Sequence, residues 1–301
     1  MISLINKGLI NKMKTEIFIS ETCGLCYGSN RAIEETRETL KQKNNVVLYK
    51  EILHNKNVLQ ELKHKGAKII ESLDEIKPTD FVIVRAHGEP ISTFSHFNRN
   101  NISYLDCTCP NVKAIHLLVQ EKDKKGYKII IIGKENHPEV IATIGWCNNP
   151  ILISDEEQIK NLNLNYNKYY LVVQTTFSKF KAESFIEEIK KIMKNNNKIF
   201  EYRNTICNAQ RNINKSSEEL ARHVDIMIVI GGKNSSNSKE LFNNMSTICE
   251  SYFIENPEDV LLLIEDKIIK KDLKIGVTAG ASTMKEDIIK TKEILENKLN
   301  N

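Results

Sequence analysis

Long hydrophobic runs are absent from the 301 residues of this chain. Apolar stretches such as 129–132 and 260–264 are far shorter than the roughly 18 to 20 residues that a membrane-spanning helix needs. The first residues, MISLINKGLINKMK, are interrupted by asparagines and lysines before an apolar signal region of about 7 to 15 residues can form. These features argue against a membrane protein, and we expect a cytoplasmic protein with Met13 as an alternative start.

Arginine is scarce: of 43 basic residues only 7 are Arg, and 39 acidic residues leave a net charge of +4. Proteins that recognise nucleic acids usually cluster Arg and Lys on one face, whereas here the two signs are interspersed along the chain. We therefore expect no nucleic-acid partner, although a mildly basic surface suits an acidic protein partner.

Three common cofactor motifs are also missing. No GxxxxGK[ST] occurs, which argues against a P-loop nucleotide enzyme, and no GxGxxG opens a helix, which argues against a nicotinamide enzyme. The CxxxCxxC arrangement typical of S-adenosylmethionine radical enzymes is absent as well.

The cysteines are present in an odd number and lie at positions 23, 26, 107, 109, 147, 207 and 249. In a chain without an export signal, an odd set does not suggest a disulfide framework. Metal binding or redox chemistry is the better hypothesis.

An internal repeat organises the sequence. Three strand-like runs each lead to a cysteine: IFISETCGLC to Cys26, ISYLDCTC to Cys109, and IFEYRNTIC to Cys207. A helix-like stretch follows each cysteine, and Pro110 suits the first position of the second helix. Each helix then leads to a β-rich run, VVLYKEI, YKIIIIG or VDIMIVIGG. The same order of elements therefore occurs three times.

The spacing within the repeat is constant. His54, His137 and Ser235 each lie 28 residues after the cysteine of their own repeat. A further strand-like run closes each repeat and ends in polar residues: FVIVRAHG, YYLVVQTT and KIGVTAGAS. Alternating strands and helices are typical of parallel α/β sheets, whose ligands bind at the carboxyl ends of the strands.

We therefore predict an α/β fold of three small, pseudo-threefold-related domains around one central site. The expected units span 27–109, 110–206 and 207–301, and the segment 13–26 completes the third.

Three cysteines at equivalent points of a threefold repeat can converge on one metal centre. Thiolates favour soft metals, and three of them suit an iron-sulfur cluster in which one iron has no protein thiolate. Such an open iron is a Lewis acid that can accept a substrate oxygen. Cys26, Cys109 and Cys207 are thus candidate cluster ligands.

A second set of residues consists of hydrogen-bond donors at strand ends and helix starts, which suit a phosphate or diphosphate. Its members are His54, His87, His137, Thr175, Ser235, Ser236, Asn237 and Ser282. Glu139 lies two residues after His137, and a carboxyl group beside an anion and a metal cluster is a candidate proton donor.

The extra cysteines leave an alternative open. Cys23 with Cys26 forms CxxC, and Cys107 with Cys109 forms CxC. Four such thiolates can bind zinc, and a CxxC can be a redox dithiol. The alternative function is then a zinc- or dithiol-containing phosphate-metabolite binding protein without reductase activity. It leaves Cys207 and the 28-residue spacing unexplained.

Seven short motifs occur in order between Cys26 and position 282: GLCYGSNRAI, AHG, CTCP, HPEV, QTT, NSSNS and TAGAS. In this respect the chain resembles the IspH/LytB family of 4-hydroxy-3-methylbut-2-enyl diphosphate reductases. The resemblance implies an iron-sulfur oxidoreductase that removes the allylic hydroxyl of its substrate and forms isopentenyl and dimethylallyl diphosphate, the last step of the non-mevalonate (MEP) isoprenoid pathway. It also implies a three-domain cloverleaf fold around a 4Fe-4S cluster.

By motif match, the resemblance assigns roles to individual residues. Cys26, Cys109 and Cys207 would hold the cluster, and Glu139 would relay protons with the help of Thr175. The diphosphate-binding positions would be His54, His87, His137, Ser235, Ser236, Asn237 and Ser282. Ferredoxin or flavodoxin would deliver the electrons, and we expect a monomer.

Two segments depart from the family pattern. After Cys207 the chain reads NAQRNIN, and after AHG it continues with Glu89 and Pro90. A carboxylate that pointed toward a bound diphosphate would be unfavourable, so we expect Glu89 to face solvent.

Overall fold

The structure, a computed structural model, describes residues 15–53, 55–233, 235–281 and 283–300, without the side chains at 56 and 236. Short runs of Ile and Val form most of its strands, and the run KIIII at 128–132 is buried throughout. Continuous apolar runs of this kind are typical of parallel strands that are covered on both faces. In chain order, the strands are β1 (Glu16–Ile19), β2 (Val46–Tyr49), β3 (Lys68–Ile70), β4 (Phe81–Val84), β5 (Ser103–Asp106), β6 (Lys128–Ile132), β7 (Ile151–Ile153), β8 (Lys168–Val173), β9 (Ile199–Arg203), β10 (Ile226–Ile230), β11 (Glu250–Ile254) and β12 (Lys274–Ala279).

Helices alternate with these strands. They are α1 (Tyr27–Gln42), α2 (Lys56–His64), α3 (Ile91–Arg99), α4 (Pro110–Lys124), α5 (Pro138–Ile144), α6 (Glu156–Lys160), α7 (Lys179–Asn195), α8 (Asn208–Ala221), α9 (Ser236–Ser246), α10 (Val260–Glu265) and α11 (Lys285–Leu299). Two short 3₁₀ helices cover Leu73–Glu75 and Pro257–Asp259. Pro110 occupies the start of α4, as predicted, where its missing N–H leaves no hydrogen bond unmade. No helix in the described part of the chain is both long and apolar enough to cross a bilayer.

The described strands form three sheets of four strands, and every pairing is parallel. The orders are β3-β2-β4-β5, β7-β6-β8-β9 and, in the third sheet, β11-β10-β12-β1. The α/β class predicted from the sequence is confirmed. The third sheet takes β1 from early in the chain and pairs it with β12, so that Glu16 lies opposite Lys274.

All three sheets repeat one arrangement. The strand that precedes a cysteine (β1, β5 or β9) lies at an edge of its sheet. Its neighbour is the strand that closes the repeat and ends in polar residues (β12, β4 or β8). Because parallel strands end on the same side of their sheet, the cysteine loop and the polar loop of each sheet are neighbours. The strand–cysteine–helix order predicted for each repeat is confirmed.

The chain divides into two compact units. The larger unit is Cys26–Gln210 and contains the first two sheets, whereas the smaller unit combines Met1–Leu25 with Arg211–Asn301 and contains the third sheet. The expected ranges 27–109 and 110–206 each contain the strands of one sheet of the larger unit. These domain boundaries, and the completion of the third domain by 13–26, remain a proposal, and positions 13 and 14 lie outside the described residues.

Candidate functional site

The three candidate cluster cysteines all lie at helix starts in the larger unit. Cys26 is the N-cap of α1 and Cys109 is the N-cap of α4, both with non-helical backbone, while Cys207 directly precedes α8. The unpaired N–H groups and the dipole of a helix N-terminus stabilise negative charge, such as the charge of a metal-bound thiolate. Each helix thus offers its thiol a favourable position for ligating a metal.

Contacts within the larger unit bring these cysteines together. A side chain at Gly28 would place its Cβ 2.6 Å from Cys109 Sγ, so the start of α1 packs directly against the second thiol. Asn111 Nδ2, at the start of α4, donates to Cys207 Sγ at 3.2 Å. Burial raises the pKa of Cys109, and the neighbouring Cys26 and Cys207 raise it further, although backbone N–H groups act in the opposite direction. The three thiols therefore share one neighbourhood.

The extra thiols of the zinc alternative have other surroundings. Cys107 is 1% exposed and its Sγ lies 3.5 Å from Glu35 Oε2, so burial and this carboxylate raise the pKa of Cys107. Cys23 packs on an apolar cluster of the smaller unit, and burial raises its pKa to about 11. In the absence of a metal, burial thus favours the neutral form of both thiols. Among the described residues, no group of three or more His, Cys, Asp or Glu side chains is arranged to hold a metal ion, which applies to the zinc alternative and to Cys26, Cys109 and Cys207 alike.

Glu139 is a buried carboxyl group with specific partners. It is 2% exposed, near the start of α5, and it accepts two hydrogen bonds from Thr175: backbone N to Oε1 and hydroxyl to Oε2, both 2.6 Å. Burial raises the pKa of Glu139 to about 6, even though the Thr175 hydrogen bonds favour the charged form. A carboxyl group with a pKa near neutrality can donate a proton at physiological pH, which is what general acid catalysis requires.

His137 caps the same helix, and this fixes its tautomer. Its Nδ1 accepts a hydrogen bond from the backbone N–H of Glu139 at 3.2 Å, so the proton of a neutral ring lies on Nε2. The ring of His87, in the turn after β4, meets that of His137 edge-on, with centroids 5.6 Å apart. Two imidazoles from two different sheets are thus adjacent, and imidazole N–H groups are suitable donors to a phosphate.

Thr175 connects the buried acid with a candidate ligand. Its side chain and backbone N–H hold Glu139, while its carbonyl oxygen accepts a hydrogen bond from the backbone N–H of Cys207 at 2.8 Å. The second cysteine has an equivalent bond, from Cys109 N to Ala86 O at 2.9 Å, next to His87. In each of these two sheets, the loop that carries a predicted polar residue is therefore hydrogen-bonded to the loop that carries the cysteine.

The smaller unit holds the remaining predicted residues. Ser235 is the N-cap of α9, and its hydroxyl oxygen accepts a hydrogen bond from Ser238 N at 3.3 Å. The backbone of Ser236 and Asn237 begins α9, whose first N–H groups form a typical anion-binding position. Gly280 N and Thr283 Oγ1 both donate to the Ile230 carbonyl at 3.1 Å, which places the loop after β12 beside the end of β10. His54, Ser282 and the side chain of Ser236 lie outside the described residues.

The expectation that Glu89 faces solvent is wrong. Glu89 is 1% exposed, and its two carboxylate oxygens face Arg85 Nε at 2.8 Å and Lys50 Nζ at 3.3 Å. Two cations compensate the buried charge, which removes the reason for expecting exposure.

Sequence reasoning missed two further polar contacts. Gln174 was noted only as part of the QTT motif, yet its Oε1 accepts from Lys134 N at 2.9 Å and its Nε2 donates to Thr176 Oγ1 at 2.8 Å. These bonds hold the loop that carries Thr175. The contact between Asn111 and Cys207 joins residues 96 positions apart, and no local pattern could indicate it.

Comparison with known proteins gives a consistent result. The family model described as "LytB protein" matches residues 17–296. A 4-hydroxy-3-methylbut-2-enyl diphosphate reductase of Caldanaerobacter subterraneus subsp. tengcongensis is 37% identical over 274 residues, which cover 89% of this chain and 92% of the relative. The reductase of the same name from Clostridioides difficile is 35% identical over 285 residues, with coverage of 93% and 99%.

Two solved structures are similar to this chain. That of (E)-4-hydroxy-3-methyl-but-2-enyl diphosphate reductase, the terminal enzyme of the non-mevalonate pathway, has a TM-score of 0.76 at 32% identity and covers 94% of this chain and 99% of its own. That of the E-1-hydroxy-2-methyl-but-2-enyl-4-diphosphate reductase from Plasmodium falciparum has a TM-score of 0.81 at 28% identity, with coverage of 95% and 89%. On the family match and the identity to its relatives, the chain belongs to the LytB family.

Proposed function

We propose that this chain is an iron-sulfur reductase that converts 4-hydroxy-3-methylbut-2-enyl diphosphate into isopentenyl and dimethylallyl diphosphate. The reaction replaces the allylic C–O bond by a C–H bond, consumes two electrons and two protons, and releases the hydroxyl group as water. The observation that carries the proposal is the buried Glu139–Thr175 pair. The Thr175 carbonyl oxygen of this pair accepts a hydrogen bond from the backbone N–H of Cys207. It brings a proton donor to a candidate metal ligand.

The chemistry of the donor set, three cysteine thiols, suits a 4Fe-4S cluster, which Cys26, Cys109 and Cys207 would hold. The three thiols lie close together at helix starts. Cys207 Sγ accepts hydrogen bonds from Asn111 Nδ2 at 3.2 Å and from the backbone N–H of Ala209 at 3.4 Å. N–H donors of this kind stabilise a thiolate ligand and tune the reduction potential of a cluster. Gly28 leaves room beside Cys109 that any larger side chain would fill. When bound, the cluster supplies single electrons and a Lewis-acidic iron without a protein thiolate.

The residues of the chain then have distinct tasks. Glu139 holds a proton on a buried carboxyl group with a pKa of about 6 and gives it to the departing hydroxyl group. Thr175 fixes the direction of that carboxyl group through two hydrogen bonds of 2.6 Å. The Nε2–H of His137, whose tautomer is set by the Glu139 backbone, binds the diphosphate together with His87.

Further diphosphate contacts are proposed from Ser235, Ser236 and Asn237 at the start of α9. His54 and Ser282 complete the proposed set and lie outside the described residues. We further propose that ferredoxin or flavodoxin supplies the electrons and that the chain works as a cytoplasmic monomer.

The test is the iron and acid-labile sulfide content of protein purified without oxygen, followed by turnover with a chemically reduced viologen. About four iron and four sulfide per chain are expected, with formation of both isomeric diphosphates. Cys109→Ser is expected to lose most of the iron. Cys107→Ser is the matched control and should retain it, because the Cys107 thiol bonds to Glu35 instead. Zinc without sulfide in the wild-type protein would overturn the proposal.

A further inference from the structure

Two interactions of Arg85 close the turn that carries His87. Gly88 N donates to the Arg85 carbonyl at 3.0 Å, and the Arg85 side chain forms an ion pair with Glu89, Nε to Oε1, at 2.8 Å. The backbone bond thus joins residues 85 and 88, and the ion pair joins residues 85 and 89, within the five residues 85–89 that we call the His87 turn. A turn that is held at both ends has little freedom to move the imidazole it carries.

The closure by Glu89 rests on charge, because Arg85 Nε and Glu89 Oε1 meet as an ion pair although neither atom has a hydrogen-bond partner within the described part of the chain. The carboxylate is 1% exposed and meets a second cation, Lys50 Nζ, at 3.3 Å. Removal of one member of a buried ion pair leaves the other charge uncompensated, so such pairs resist rearrangement. Few positions of the His87 turn satisfy both cations at once.

A second set of contacts ties the His87 turn to helix α5. Trp146 Nε1 donates to the Glu89 carbonyl at 2.9 Å, and Ile91 N donates to the Gly145 carbonyl at 3.4 Å. A side chain at Gly145 would lie 2.8 Å from Pro90 Cα, so the two segments are in direct contact. Gly145 and Trp146 follow the end of α5, the helix that His137 caps and that carries Glu139.

The Trp146 ring is itself held in place. It stacks on the ring of His116, with centroids 5.1 Å apart and planes 16° from parallel. His116 in turn lies against Gly88, where an added Cβ would approach His116 Cε1 to 2.6 Å and where φ is +73°. Only glycine allows both this approach and this backbone conformation. The His87 turn therefore rests on a fixed aromatic support.

We propose that Glu89 and Trp146 are positioning residues of the diphosphate site, which together hold His87 at its place beside His137. One end of this connection is the turn that carries His87, and the other is the helix that begins after His137. Two donors at a fixed separation bind a diphosphate without the entropic cost of being ordered first. The inference rests on the proposed function and extends it to residues that do not contact the substrate.

Two conservative variants test the proposal. Glu89→Gln removes the charge but keeps the size of the side chain, and Trp146→Phe removes the Nε1–H but keeps a ring that stacks on His116. The matched control is Glu61→Gln, because Glu61 also meets one arginine and one lysine, Arg37 Nη2 and Lys65 Nζ, each at 2.6 Å. Glu61 has no contact with the His87 turn among the interactions described.

The readouts are KM and kcat of the holoenzyme for the allylic diphosphate, the Kd of inorganic diphosphate by calorimetry, and iron content. Misplacement of a binding group by a fraction of an ångström is expected to raise KM and Kd about tenfold in each variant. Iron content and kcat should stay within about twofold of wild type. Because both residues act on one turn, the double variant should be no worse than the weaker-binding single variant.

The outcomes separate this inference from the proposed function. Wild-type protein that binds diphosphate but does not turn over refutes the function and leaves the Kd comparison decisive. Unchanged KM and Kd in Trp146→Phe would overturn the inference, and so would an equal rise of KM and Kd in Glu61→Gln. In either case, turnover by the wild-type protein still upholds the proposed function. If Glu89→Gln does not fold, Trp146→Phe decides alone, since it leaves the ion pairs intact.

Discussion

Replacement of Glu139 by Gln removes a proton and a charge and changes little else. Thr175 N can still donate to the amide oxygen, and the amide nitrogen can donate to the Thr175 hydroxyl, so both 2.6 Å contacts have a neutral equivalent. The Thr175 hydroxyl hydrogen then loses its acceptor Glu139 Oε2, a cost in stability that does not vary with pH. The variant therefore tests the ionisation of the carboxyl group rather than its shape.

The magnitude follows from the raised pKa. Burial moves the pKa of Glu139 from 4.5 to about 6, and a shift of that size corresponds to about 2 kcal/mol. Because the folded-state pKa lies above the unfolded one, folding favours the protonated form. This contribution to stability is present in full below pH 4.5 and is lost as the pH rises through about 6. Glu139→Gln lacks the titration, so its stability relative to wild type should increase by about 2 kcal/mol between pH 4 and pH 8.

Activity should change in the opposite direction. Loss of a general acid typically lowers the rate by about 10²- to 10⁴-fold. In the wild-type enzyme about one carboxyl group in ten is protonated at pH 7 when the pKa is about 6. The wild-type kcat should therefore fall as the pH rises above about 6.

The assay combines thermal unfolding across this pH range with turnover of the cluster-loaded protein. Glu135→Gln, an exposed carboxyl group in the loop before α5, is the matched control and should change neither property. A stability difference between Glu139→Gln and wild type that does not vary with pH would show that the carboxyl group titrates normally. Full turnover by the variant with its iron retained would refute the proton-donor role.

Two further substitutions test the cluster site. Gly28→Ala should lower iron content, because the added methyl group would lie 2.6 Å from Cys109 Sγ. Gly126→Ala is the control: its methyl group would meet nothing within 4 Å, so it should lose only stability, through its φ of +79°. Equal iron loss in both variants would contradict the reasoning. Asn111→Leu should lower the midpoint reduction potential of the cluster, because Cys207 Sγ loses an N–H donor. Spectroelectrochemical titration should show a shift of at most about 60 mV, which is a tenfold change in the equilibrium constant for one electron. An unchanged potential would contradict this prediction.

Much of the fold was accessible from sequence because local and repeated signals agree. Runs such as KIIII are typical of buried strands in a parallel sheet. The constant 28-residue spacing aligned His137 with Ser235, and the structure shows both as N-caps of the helix after the second strand of their repeat. The partnership of β1 with β12 is not visible locally, since it pairs opposite ends of the described chain.

The candidate site was accessible only in part. The motifs identified the cysteines, histidines and Glu139, but the sequence did not show which charges compensate one another. Glu89 was expected at the surface because a carboxylate that points toward a bound diphosphate would be unfavourable. No local pattern indicates that Lys50, 39 residues earlier, meets this carboxylate inside the protein. The hydrogen bond from Trp146 Nε1 to the Glu89 carbonyl likewise depends on tertiary packing and has no local sequence signal.

The pairing of β1 with β12 also has a consequence for biosynthesis. Strand β1 leaves the ribosome before its only hydrogen-bonded neighbour among the described strands, which is made roughly 250 residues later. At about 5 to 20 residues per second, translation keeps this strand without its partner for tens of seconds. The third sheet thus has a high contact order and closes after its other strands are synthesised, whereas the first two sheets assemble from contiguous segments. Chaperones that shield Ile17 and Ile19 during this interval would favour correct closure over aggregation.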